Sequence, residues 1–211
     1  MGHPIIGGGG EIFDPTRPSP ITDLTTERIL SGRSLTAGRA AVFGAHNLPG
    51  ENAGYFDGNV EVTGTISAAV NILLKNADGA EDFDVADGPV PGPGTVMVLD
   101  RDGSVRASDG PYDPRVAGVV SGAGTYRPAM RLDHRESERN RVPIALFGKV
   151  WCLADARSAP ITLGDLLTTG ERPGHAMRAT DRQRSFGAVL GKALAGLPAG
   201  TGLVPILVAL Q

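Results

Sequence analysis

A single cysteine, Cys152, among 211 residues leaves no intrachain disulfide and no thiolate metal cluster. Aromatics are scarce at 5%, with one Trp and three Tyr, so a glycan-stacking module has little to build on. No apolar run approaches the length that spans a bilayer, and the N-terminal "MGHPIIGGGGEIFDP" lacks the charged-then-apolar order of a signal peptide. A net charge of -3 supplies none of the basic excess that nucleic acid or an anionic membrane attracts, so neither nucleic-acid binding nor membrane insertion is expected.

Turn formers are abundant instead. Gly 30 and Pro 16 accompany a 41% hydrophobic content that is ordinary for a globular chain. Charge is segregated: acidic residues dominate from Asn76 to Pro114, and arginines gather at Arg127, Arg131, Arg135, Arg139 and Arg141. Two such patches meet within a chain, meet between chains, or stay solvated.

Residues 1–20 hold four consecutive glycines and four prolines, which forbid a continuous helix and predict an extended N-terminal arm. Ile5, Ile6, Ile12 and Phe13 equip that arm to dock on a neighbour. Residues 21–88 break into short strands punctuated by Gly, Asn and Pro, the pattern of a stem. Within it, "GNVEVTGTI" alternates Val60, Val62 and Ile66 with polar residues, and Gly64 interrupts the apolar face where another backbone can come close. The next segment, 66–77, fits a helix or a strand. A boundary is expected at 87–94, where three prolines and three glycines fall within eight residues.

Residues 89–211 predict a C-terminal β-barrel or sandwich-like domain. "GTVMVLDRDGSVRAS" is a hairpin around Asp102-Gly103, and "RVAGVVSGAG", "VPIALFGKVWCLA", "FGAVLGKALAGL" and "GLVPILVAL" are strands bounded by Pro and Gly. "MRLDHRESERNR", Met130 to Arg141, is too charged to bury and is expected as an exposed loop. A short-strand stem shelters little of its own apolar face, so that face needs cover, either from identical copies or from the C-terminal domain of the same chain. Val60, Val62, Gly64 and Ile66 are accordingly the expected oligomer interface.

Two groups of motifs resemble phage-type tail-fibre proteins. "GYFDGNVEVTGTI" is similar to their strand-turn repeats. The ordered series "VAGVVSG", "VPIALFGKV", "PITLGDLLTTGERPGHAM" and "GKAL" is similar to the C-terminal β domain of bacterial and phage tail-fibre proteins. The resemblance covers roughly residues 54–66 and 112–211. It implies a mainly β homotrimer, a structural component of a fibre, spike or appendage of a phage tail, contractile injection system or cell-surface particle. The arm would join a parent particle or baseplate protein. Such a protein is made in the cytoplasm and ends in a virion or extracellular particle.

Enzymatic alternatives are an autoprotease or a small hydrolase sited in the C-terminal domain. Ser121, His175 and Asp165 are the residues for a hydrolase, but "GVVSGAG" lacks the nucleophile elbow and each residue has an ordinary turn role. "GAVLGKAL" has three residues between its glycines where a phosphate loop needs four. Asp82, Asp84 and Asp87 imitate a calcium loop whose alternation Ala86 spoils. No cofactor, metal or catalytic residue is therefore assigned, and Cys152 beside Trp151 reads as a small buried hydrophobe.

Overall fold

The computed structural model describes residues 58–210. The expected arm, 1–20, and the stem up to residue 57 lie outside the described residues. The chain divides into two units, Met1–Ser67 and Ala68–Gln211.

Ten strands and one short helix follow in the second unit: β1 (Asp78–Asp84), β2 (Val96–Leu99), β3 (Val105–Ala107), β4 (Val116–Val120), β5 (Pro128–Leu132), β6 (Arg141–Asp155), β7 (Leu166–Thr169), β8 (Ala176–Arg178), α1 (Arg182–Ser185), β9 (Val189–Ala193) and β10 (Thr201–Val208). The mainly β expectation holds. In β6, Val150, Cys152 and Ala154 point inward while Lys149, Trp151 and Leu153 point outward.

A small barrel closes because β6 has partners at both ends of one circuit. The order β10-β9-β7-β8-β6 returns to β10 through eight antiparallel residue pairs from Thr201↔Asp155 to Val208↔Gly148. A five-stranded ring leaves a narrow interior, and Ala154, Ala176 and Ala193 fill it alongside Val150, Leu167, Leu190 and Ile206. Where strands crowd most, even a methyl is excluded: a Cβ on Gly191 would lie 2.2 Å from the Leu207 carbonyl oxygen.

The N-terminal half of β6 carries the remaining strands. β4 pairs with it at Val119↔Ala145 and Val120↔Ile144, β2 joins β4, and β3 joins β2. The β2–β3 hairpin turns at Asp102-Gly103, both left-handed at φ 59° and 73°, as the Asp-Gly signal requires. A second core of Val85, Met97, Val105, Val120, Val142 and Ile144 fills the space behind these strands.

Three expectations change. β1 lies before the Pro/Gly-rich stretch 87–94 yet pairs along its whole length with β6, so that stretch is a connection inside one unit and not its edge. The charged "MRLDHRESERNR" contributes Met130–Leu132 to β5, which pairs in parallel with β1, and Arg141 to the start of β6, so only 133–140 is exposed loop. "GNVEVTGTI" and residues 66–77 are neither helix nor strand: among the described residues no strand pairs with 58–76, and only Ala77 joins the backbone bonding, donating to the Arg127 carbonyl at 3.1 Å and accepting from the Lys149 N–H at 3.2 Å.

Replacing Leu167, fully buried in the barrel, with Ala is expected to cost about 2–5 kcal/mol of unfolding free energy. Gly191→Ala should cost about 1–3 kcal/mol through overpacking. Leu163→Ala, at a 73% exposed position, should stay within about 0.5 kcal/mol. Denaturant titration followed by Trp151 fluorescence measures all three.

Candidate functional site

Ser121, His175 and Asp165 each have a partner of their own. Ser121 is buried at the end of β4 and donates to both carboxylate oxygens of Asp78 at 2.9 Å. Burial pushes the Asp78 carboxyl above the usual range, and the hydroxyl only partly offsets this. His175 Nδ1 sits 2.8 Å from the Pro173 carbonyl oxygen, the geometry of an N–H donor. Asp165 accepts from the backbone N–H of Thr162 at 2.7 Å, the turn role its sequence context suggests, and pairs with Arg178 at 3.2 Å. Ser121 is thus buried, and its hydroxyl bonds Asp78 rather than His175. Cys152 is fully buried, and burial pushes its thiol up to about 12.

The acidic and basic patches do meet within the chain. Asp82 on β1 receives two hydrogen bonds from the terminal nitrogen of Arg131 on β5, at 2.7 and 2.8 Å, and a third from Arg131 Nε at 3.1 Å. His134 Nδ1 approaches the same carboxylate at 2.7 Å. Arg141 bridges Asp133 and the backbone oxygen of Asp82, and Ser137 donates to Asp84 at 3.0 Å. Burial alone would raise the Asp82 carboxyl, but the bonds from Arg131 and His134 outweigh it and hold it below its ordinary value. An aspartate on a histidine is half of a general-base arrangement. The hydroxyl that would complete it, Ser137, is turned to Asp84 instead. The cluster therefore pins the 133–141 loop and β5 to β1. Sequence reasoning saw the two charge patches but not their pairing, since nothing local places residue 131 beside residue 82.

Tyr112 is a second feature that sequence reasoning missed. Its backbone is left-handed at φ 58°, and its hydroxyl accepts from the N–H groups of Thr180 and Asp181 at 2.9 Å each. The Arg184 guanidinium stacks 4.5 Å from the ring centre. Beside it two adjoining hollows of about 320 and 280 Å³ share Ser158, Glu171 and Met177. The charged groups around them are largely engaged: Asp155 holds Arg157, and Asp181 caps α1 through Gln183 and Arg184 N–H groups.

The remaining candidate is the apolar run. Val60, Val62 and Ile66 are 60, 46 and 70% exposed, and Gly64 has open space around it. Val70, Ile72, Leu73 and Leu74 continue the exposed run. No family model matches the chain, and no curated protein matches it. Among the described residues no helix is long and apolar enough to cross a membrane.

Asp82→Asn is expected to cost about 1.5–3 kcal/mol at neutral pH by removing charge-assisted bonds from a buried site. A carboxyl held below its ordinary value stabilises the fold above about pH 4, and this is lost as pH falls through the folded-state value. The gap between wild type and Asp82→Asn should therefore shrink below about pH 4, as read by denaturant titration across pH.

Proposed function

We propose that the chain is a structural subunit of a fibre, spike or similar appendage, assembling as a homotrimer through the exposed run from Val60 to Leu74. One observation carries the reading: seven large aliphatic side chains stand exposed in succession ahead of a barrel that needs none of them for its own core. Covering such side chains is worth about 1.5–3 kcal/mol each, on the order of 10 kcal/mol per copy in total. Identical copies are the natural cover, because every copy brings the same run at the same concentration. Obligate interfaces of this apolar kind are the ones that build permanent assemblies.

The fibre class and the threefold symmetry come from the resemblance of the "GNVEVTGTI" and "GDLLTT…PGHAM" motifs to tail-fibre proteins. On that reading residues 1–20 join a parent particle. The barrel serves as tip, cap or assembly nucleus, and its locked Ser121 and pinned loops suit a mechanical part better than a catalyst.

Light scattering on the full-length chain should give a mass of three times 21.8 kDa. Replacing Val60 and Val62 together with Asp should bring it down toward a single chain, with the far-ultraviolet circular dichroism of the barrel unchanged. A wild-type protein that is monomeric at every concentration overturns the proposal.

A further inference from the structure

Every strand edge but one is closed among the described residues. The ring of β6, β8, β7, β9 and β10 has no free side. The far edge of the sheet, β3, is covered by the Val85–Val105 bridge and by the Ala86 N–H on the Val105 carbonyl at 2.9 Å. β1 lies between β5 and β6. Among the described residues β5 alone pairs on one side only, and its outer backbone groups have no strand or loop partner there. Pro128 at its first position is where an edge strand tolerates proline.

An open edge is a template for another strand, and this one has an apolar surface beside it. Phe147, Gly79 and Met130 lie in one row across β6, β1 and β5, with the Phe147 ring covering Gly79. Phe147, Met130 and Leu132 are 53, 41 and 46% exposed. Their neighbour in β5, Arg131, belongs to the charged face with Asp82.

The apolar run has the complementary pattern. Every even-numbered position from Val60 to Leu74 is apolar or glycine, and the odd positions from Asn59 to Asn71 are polar apart from Ala69. The strand period thus runs from Asn59 to Ile72 with Ala69 as its one exception, in a segment that has no partner strand among the described residues. Glu61 is the one carboxylate on the polar side of this segment. The β5 end carries Arg127, which bonds three backbone carbonyls and has no carboxylate partner among the described residues. The eleven residues from Ser67 to Ala77 reach about 36 Å when extended, enough to leave one barrel for the next.

We infer that the Val60–Ile66 segment of one copy adds as a strand to the free edge of β5 in a second copy, extending the Phe147–Met130–Leu132 face with Val60 and Val62 and placing Glu61 toward the arginine side. Main-chain bonds to β5 supply the pairing, and the alternate apolar side chains set its register. The contact is head-to-tail, so it closes into a ring when the rotation between copies allows, three copies among the options. It rests on the self-assembly reading above and names the surface that accepts the segment.

Engineered cysteines in the full-length chain test it, Cys152 being fully buried and silent. Val62→Cys and Leu132→Cys are made singly, co-expressed and oxidised, because facing positions on paired strands bring Cβ atoms within disulfide range. The expected result is a linked dimer several-fold more abundant in the mixture than in either variant alone. Met130→Cys serves in place of Leu132→Cys should the register differ. Met130→Lys with Leu132→Lys should lower the solution mass without changing the circular dichroism. Val62→Cys linking to itself as efficiently as the mixture overturns the inference while leaving self-assembly standing. So does a link confined within one chain of the double variant. A monomer with no link overturns both.

Discussion

β6 is the member on which the rest of the molecule depends. Its fifteen residues belong to the barrel at one end and to the extended sheet at the other, with Gly148 at φ 90° between the two regimes. The backbone hydrogen-bonding requirement then arranges everything else. Each strand laid on β6 must find a partner on its own far side, or end at solvent. Barrel closure through β10 solves this for four strands, and the Val85–Val105 bridge solves it for β3.

At β5 the same requirement leaves a remainder. A charged clamp of Asp82, Arg131 and His134 pins that strand to β1, so its inner side is fixed while its outer side stays open. The clamp explains how so polar a strand is held without burying its own side chains. It also engages the aspartates of this region: Asp82 accepts from a guanidinium and a ring nitrogen, Asp133 from two guanidiniums and Asp84 from a hydroxyl. The unsheltered apolar run before β1 is the other remainder. On the proposed self-assembly reading, these two pieces are what one copy offers to another.

Much of the barrel was legible in the sequence. Asp102-Gly103 announced its hairpin because only left-handed residues fit a two-residue turn there, and β6 and β10 announced themselves as apolar runs bounded by Pro and Gly. β1 and β5 did not. "DGAEDFD" buries Asp78 and Asp82 by pairing them with Ser121 and Arg131, residues 43 and 49 positions away, and no local pattern carries that information. The Pro/Gly stretch 87–94 looked like a boundary because such composition marks linkers between domains and turns within them alike. The segment 66–77 offered both a helical spacing and a strand period. With no partner strand among the described residues it takes neither, which is the expected outcome when the local preference is weak and no neighbour decides it.

Backbone amide hydrogen exchange over residues 58–74 of the full-length protein, followed through a dilution series, tests the central claim most directly. Slow exchange at high concentration that becomes fast on dilution, with the barrel strands protected throughout, is the predicted result. Fast exchange of these amides at every concentration would contradict the account, and so would slow exchange that dilution leaves unchanged.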